Sequence, residues 1–482
     1  MLIFYVTSIK YFDLEAVGNL NERKPVKAAK PFKTRKTAKE NLWIFDMFDD
    51  ASVNADLTYN VDYLTAKAQG VAWGKGLCVA CKGGKFLCGK TRCPLLVRAR
   101  FYLKTMPLMR DLGVDGASPP SVFVGRIGYP YVYAGPLVPP VHEDTSLYDL
   151  PELWFGKSMD EIVGFRSILI RGKHRVHVKK FEEAGRIMER TLELALAANP
   201  VDAELTFTRQ PRRILILDDE VQPFGPSAPI RDFYVDTARW DQQIEKAYYD
   251  TDQKAANAVL NLYKRGVLVT KIQRAFSVGA FGVKKNRRLV PTRWSITAVD
   301  SIVSKGSIER IKGYPEINEY RVYESRYLDN QFEILMLPQA WSYEAMEAWY
   351  PGTIWNPSGR TVVIFSDWEH YEGRTTYADI GGCYYAARLA VCELLEKERH
   401  QATVIVMREA HPGYIMPVGV WQVRENVRNA MKQTPLKFNT LYEALAKIAS
   451  QFQIPIKRWI RNSELLQNAL FQKKLTEYFK QA

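Results

Sequence analysis

Residues 118–140 read SPPSVFVGRIGYPYVYAGPLVPP. Short runs of Val, Phe and Tyr are bounded by Gly and Pro, the composition of strands joined by tight turns. Outward from this stretch the pattern changes. Upstream, LLVRARFYLKTMPLMRDLG (Leu95–Gly113) predicts a helix with Pro107 near its end. Downstream, FRSILIRGKHRVHVKK returns to β, with Ile168 and Ile170, then Val176 and Val178, and a turn expected at Gly172. KFEEAGRIMERTLELALAANP (Lys180–Pro200) has helical periodicity and is stopped at Asn199 and Pro200. RRILILDDE (Arg212–Glu220) reads as a strand ending in carboxylates.

The second half opens around NRRLVPTRWSITAVDSIVSK (Asn286–Lys305). INEYRVYES, QFEILMLP, TVVIFSDW and ATVIVMREA predict strands, and CYYAARLAVCELLEKERH, WQVRENVRNAMKQ and TLYEALAKIASQF predict helices. No internal repeat is visible. The expected class is α+β, or mixed α/β, in two closely associated regions with a small four-cysteine loop near the start and a flexible C-terminal tail. The aromatic, Pro/Gly-rich passage WYPGTIWNPSGR (Trp349–Arg360) divides the regions, giving 47–350, which includes the loop 76–94, and 351–462, with the tail at 463–482. Residues 1–46 form a basic extension. Its segment KPVKAAKPFKTRKTAK (Lys24–Lys39) has little to bury and is expected to be disordered. A translation start at Met47 would leave that extension outside the native protein.

The chain has 482 residues and a formal net charge of +14. Such an excess calls for an anionic partner, and nucleic acid is the commonest. Six cysteines are too few for a disulfide-built secreted scaffold. The opening MLIFYVTSIKYF has too short an apolar run to span a bilayer and lacks the basic-then-apolar order of a signal peptide. The expectation is a soluble, cytoplasmic protein with no membrane partner.

Four of the six cysteines lie in GLCVACKGGKFLCGKTRCP (Gly76–Pro94): Cys78, Cys81, Cys88 and Cys93, spaced C-x2-C-x6-C-x4-C. A C-x-x-C turn lets both sulfurs reach one metal, and a second pair completes a tetrahedron that suits structural Zn²⁺. Lys82, Lys85, Lys90 and Arg92 would offset the charge of four thiolates. An iron–sulfur cluster also uses four cysteines, and Cys93-Pro94 fits such runs, but the spacing does not; free thiols are the remaining reading. Four protein ligands leave no open position for a substrate. Cys383 and Cys392 lie too far apart on their predicted helix to pair and are expected in the core.

The chain ends NALFQKKLTEYFKQA, in which Gln472, Leu475, Tyr478 and Phe479 form Q-x-x-L-x-x-Y-F. This pattern resembles the PIP box, the peptide that docks on the sliding clamp PCNA. A short helical turn would put Leu475, Tyr478 and Phe479 on one side as an apolar plug, with Gln472 beside it. The competing reading makes Leu466, Leu470, Leu475 and Phe479 one face of a terminal amphipathic helix.

Candidate chemistry is sparse. Asp218, Asp219 and Glu220 close a predicted strand; Asp367, Glu369, His370 and Asp379 follow another, and Glu409 and His411 a third. Carboxylates at strand ends can hold Mg²⁺ or Mn²⁺ for phosphoryl transfer, provided that adjacent strands make them converge. Such a site would make the protein a metal-dependent enzyme acting on nucleic acid or a nucleotide; solvated or capping acids are the plainer reading. No P-loop, dinucleotide fingerprint or nucleophile elbow is present. His174 and His177 face opposite sides of a strand. Arg287, Arg288, Arg293 and Trp294, preceded by Lys284 and Lys285, are candidate phosphate contacts, although arginines also hold carboxylates inside proteins. RIGYPYVYAGP, beside Arg126, offers aromatics that can stack on unpaired bases or simply fill a β core.

Taken together, CVACKGGKFLCGKTRCP, SPPSVFVGRIGYPYVYAGPLVPP, GPSAP, RRLVPTRWSITAVD and the terminal Q-x-x-L-x-x-Y-F make the chain resemble the archaeal Nre family of DNA repair proteins over roughly residues 60–482. The resemblance implies a part in DNA damage repair, binding to the sliding clamp through the tail, and an archaeal, cytoplasmic setting. It brings no defined enzymatic activity. The expected mechanism is tethering: the tail holds the clamp and the basic body contacts DNA at raised effective concentration. The metal-dependent enzyme is the main alternative, and a scaffold that binds only proteins is the third.

Overall fold

The described residues form two six-stranded sheets. The computed structural model describes residues 80–105, 112–211, 224–353, 355–356 and 360–472. The basic extension, Cys78, the expected strand with Asp218 and Asp219, and Leu475, Tyr478 and Phe479 lie outside the described residues.

The first sheet contains β1 (Gly113–Ser118), β2 (Val122–Val124), β3 (Tyr131–Val138), β4 (Ile170–His177), β5 (Val201–Phe207) and β6 (Ser227–Val235), in the order β1-β5-β6-β4-β3-β2. The stretch 118–140 supplies the β2–β3 hairpin, with Phe123 opposite Gly135. All pairings are antiparallel except β4 with β6. One face buries Val132, Ala134, Val176, Leu205 and Phe233 in a core shared with α3 (Arg186–Leu196), α4 (Gln242–Tyr249), α5 (Ala255–Lys264) and α6 (Val269–Ser277). Upstream of these helices come α1 (Pro94–Thr105) and α2 (Met159–Ser167). Two expectations change here. Gly172 is no turn: β4 runs unbroken through it, and glycine is needed there because a Cβ would lie 2.6 Å from Ile230 Cδ1. The helix expected from Lys180 starts at Arg186, after Gly185 with its φ of 78°.

The second sheet contains β7 (Tyr320–Tyr327), β8 (Asn330–Leu337), β9 (Ser342–Trp349), β10 (Val363–Glu369), β11 (Thr403–Ala410) and β12 (Leu436–Phe438), in the order β10-β9-β11-β8-β7-β12. Helices α8 (Gly382–Glu398) and α9 (Trp421–Met431) cover one face, burying Tyr343, Ala345, Val404 and Val406. Helices α10 (Leu441–Gln451), α11 (Ile456–Asn462) and α12 (Glu464–Phe471) cover the other, over Met346, Ala348, Ile405 and Met407. Burial on both sides explains why β8 and β11 read as nearly continuous apolar runs. The passage 349–360 joins the paired strands β9 and β10, with Trp349 opposite Val363, so the second sheet draws strands from both sides of residue 350. The two cores meet along the twenty-residue helix α7 (Thr292–Ile311), which gives Val299 and Val303 to the first and Ile308 and Ile311 to the second. No helix among the described residues is long and apolar enough to cross a membrane.

Two buried acids on the α10–α12 side carry specific consequences. Glu344 of β9 accepts from the hydroxyls of Ser366 and Ser463 at 2.5 Å and from the amides of Glu464 and Leu465 at 3.0 Å. It thereby caps α12 and fixes that last helix to the sheet. Glu333 of β8 is fully buried; among the described residues it accepts from Gln331 Nε2 at 3.1 Å, and its second oxygen has no partner. Lys447 and Arg326 nearby oppose Glu324, and burial prevails, pushing the Glu333 pKa from 4.5 up to about 8. Between those pH values the unfolded chain has released this proton and the native one keeps it, so stability falls as pH rises through that window. Glu333→Gln should flatten that slope and add on the order of 3 kcal/mol at pH 8. Urea unfolding of both proteins at pH 5, 6.5 and 8 checks this; an unchanged slope in the variant would refute it.

Candidate nucleic-acid interface

Strand alternation sends Val132, Ala134 and Val176 into the first core and turns their neighbours outward. Tyr131 and Tyr133 of β3 are 53% and 47% exposed. On the adjoining strand Arg171, Lys173, Arg175 and His177 share this outer face. Arg175 lies opposite Tyr133 in register, and its guanidinium sits 5.5 Å from the centre of the Tyr131 ring. The His177 ring meets Tyr131 edge-on at 4.9 Å. Tyr129, in the β2–β3 turn, is exposed and packs on Trp294 at 5.4 Å. The Thr292 hydroxyl accepts from Val124 N at 2.9 Å, tying the hairpin to the start of α7. The aromatic hairpin and the Arg293–Trp294 segment, separate candidates in the sequence, thus adjoin. The far half of the sheet carries Asp115, Asp202 and Glu204 on β1 and β5, with His142 between the first two at 2.9 and 3.2 Å. The cations beside the exposed tyrosines of β3 therefore come from β4, on the opposite half of the sheet from these acids.

The rest of the basic run divides. Arg288 and Lys285 are exposed. Lys284 pairs with Glu182 at 2.6 Å. Arg287 is buried and donates to the carbonyls of Gly282 and Asp250 at 2.9 and 2.7 Å, so it serves the fold rather than presenting itself to phosphate.

Among the described residues, the carboxylates that follow β10 and β11 form no metal site. Asp367 pairs with Arg374 and also accepts from Asp379 N. Glu369 pairs with Arg388 of α8, the two side chains only 2% and 1% exposed. His370 is exposed. The expected convergence with Glu409 and His411 fails for a topological reason. Strand β9 separates β10 from β11, and Glu369 and Glu409 lie at opposite ends of the sheet, beside Tyr343 and Ala348 of β9. Glu409 instead accepts from the amides of Ile454 and Gln453 at 2.9 and 3.3 Å, with His411 at 3.2 Å. The buried arginines that neutralise acids went unread in the sequence: Arg388, Arg408 against Glu347 and Arg424 against Asp300. The basic period-two series Arg171, Lys173, Arg175 was also overlooked, though its spacing alone announces one face of a strand.

In the cysteine loop, Cys81 is buried and Cys88 and Cys93 are half-buried. Burial raises the Cys81 pKa, but backbone amides of Leu87, Gly83, Lys85 and Phe86 directed at its sulfur outweigh this and hold it below the ordinary value. Left-handed φ angles at Lys82, Gly83, Phe86 and Gly89 create that nest. It favours a thiolate, the form a zinc ligand takes, so the loop's donor chemistry fits Zn²⁺. Among the described residues no three potential ligands converge. The loop is held by Arg92, paired with Asp160 of α2 at 2.8 Å, and by Gly352, where a Cβ would lie 2.8 Å from Cys88 O. Cys383 and Cys392 lie inside the fold, with Cys383 Sγ 3.9 Å from Arg408, and burial pushes both thiols up.

Comparison with known sequences adds the lineage. The profile described as "Archaeal Nre, N-terminal" matches residues 87–356, and "Archaeal Nre, C-terminal" matches 369–478. The chain is 43% identical over 390 residues to the "DNA repair protein NreB" of Archaeoglobus fulgidus, covering 81% of this chain and 96% of that one. It is 38% identical over 383 residues to the "DNA repair protein NreA" of the same organism, covering 79% and 95%. To the "DNA repair protein NreA" of Haloferax volcanii it is 32% identical over 359 residues, covering 73% and 86%. No solved structure matches. With both profiles placed end to end across the two sheets, the chain belongs to the archaeal Nre family.

Proposed function

We propose that this chain is a DNA repair protein, held at sliding clamps by residues 472–482 and contacting DNA through the β3–β4 face of its first sheet. The names of its relatives support the repair role. The observation that carries DNA contact is the outward alignment of Tyr131 and Tyr133 beside Arg171, Lys173 and Arg175. Cations of that kind supply phosphate contacts, and exposed rings supply surfaces for bases. A Zn²⁺ ion held by Cys78, Cys81, Cys88 and Cys93 would have a structural part only, stiffening the loop that docks on α2.

Clamp binding is supported by where the last helix stops. α12 ends at Phe471, and Gln472 adopts extended backbone and is exposed. Leu466 of α12 is buried, and the helical hydrogen-bonded run stops before the motif begins at Gln472, which supports reading the motif apart from that helix. Deleting 472–482 should abolish retention of the protein on immobilised clamp and leave its melting temperature unchanged. Equal retention of the truncated chain would refute the assignment. For the intact chain, DNA affinity should fall steeply with salt.

A further inference from the structure

Arg171 is 8% exposed, and its guanidinium carbon lies 3.7 Å from the ring centre of Phe123 and 4.3 Å from that of Phe224. The two phenyl groups hold it flat. Its Nε has no acceptor, and no carboxylate among the described residues pairs with it. Other buried arginines differ. Arg388, Arg408 and Arg424 each hold an acid, and Arg274 and Arg287 hold backbone carbonyls. Burying an unpaired cation is costly, and the usual remedy is a counter-ion. Burial pushes the Arg171 pKa down to about 9, with the Arg166 charge adding to it. Lys173, two residues on, is likewise lowered by burial and then by the charges of Arg171 and Arg209. Three cations gather here with no acid of the described residues paired to Arg171, at a place where Phe123 and Phe224 hold a planar fork.

We infer that Arg171, with Lys173 and Arg209, seats a phosphate of single-stranded DNA whose unpaired bases stack on Tyr131 and Tyr133. This rests on the proposed DNA contact and names its substrate class. The cations of β4 and the rings of β3 repeat every second residue, about 6.6–6.8 Å apart on one face. That is close to the length of one extended nucleotide, so phosphates can follow one strand while bases meet its neighbour. A duplex offers this face phosphates alone, because its bases are stacked on each other. The rings therefore add affinity only for an unpaired strand, at about 5- to 150-fold per stacked base.

The test uses the full-length protein, with fluorescence anisotropy of a labelled oligothymidylate and of a duplex of equal length. Wild type should bind the single strand at least about tenfold more tightly than the duplex. Tyr131→Ala with Tyr133→Ala should weaken single-strand binding by about 100-fold and change duplex binding less than about twofold. Arg171→Met keeps the slot between Phe123 and Phe224 filled and should lower the salt slope by about one. Lys173→Ala, on a more exposed side chain, should do the same if the first variant folds poorly. Equal affinity for both DNAs, unmoved by the tyrosine changes, would overturn the single-strand assignment and leave DNA contact standing. Binding of neither at low salt would overturn both. Competition by millimolar inorganic phosphate without any single-strand binding would mark a small-anion site and overturn the inference.

Discussion

Glu369→Ala is expected to destabilise the protein by about 3–5 kcal/mol in urea unfolding, one of the largest effects of any single substitution in the second sheet. Glu369 faces Arg388 across the junction of β10 and α8, both almost wholly out of water. Burial alone would push the guanidinium pKa down, and Glu369 beside it holds it above its ordinary value. Remove the carboxylate and a charge remains inside, with only the hydroxyls of Ser304 and Ser301 at 3.1 and 3.4 Å to receive it. Arg388→Met should cost a similar amount for the mirror-image reason. The double variant Glu369→Leu, Arg388→Met should recover most of the loss, since a well-packed apolar pair often replaces a buried ion pair at little cost. That non-additivity separates a structural pair from a catalytic acid, whose removal spares stability. A Glu369→Ala protein as stable as wild type would overturn the account.

The second large effect concerns the cysteine loop. Protein purified without added metal should carry one zinc per chain. Cys93→Ser or Cys81→Ser should lose it, and with it a binding free energy on the order of 10–16 kcal/mol that the loop, having almost no core, cannot replace. The damage should be local. The contacts with Gly352 and Asp160 should open, and limited proteolysis should cut between residues 80 and 93 while both sheets persist. Elemental analysis and peptide mapping check the two parts. A visible charge-transfer absorbance would replace zinc by an iron–sulfur cluster.

How much of this could be read in the sequence depended on the range of the interaction involved. The β2–β3 hairpin and strands β7, β8, β10 and β11 announced themselves because period and turn residues are local properties, while β9 was not singled out. Strands β5 and β6 did not, since their register depends on partners elsewhere, Ala203 on Val235 and Ser227 on Arg171. Helices α4 to α6, between residues 242 and 277, were likewise not singled out. Gly172 looked like a turn because the side chain that forbids a Cβ there, Ile230, arrives from a distant strand. The partners of Asp367 and Glu369 were hidden for the same reason. The sequence displays Asp367 and Glu369 side by side, but Arg388 comes from a helix whose small apolar residues gave no hint of a charge turned inward.

The cap that Glu344 places on α12 determines where tension goes. On the proposed clamp binding, a pull on the chain beyond Gln472 would load an eight-residue helix whose inner end is pinned by one carboxylate. The strain passes through that pin into β9, which is flanked by β10 and β11, and is resisted there by hydrogen bonds on both sides rather than by a peeling edge. On that proposal, motion of a bound ring would be passed to the body of the protein through a central strand rather than through an edge.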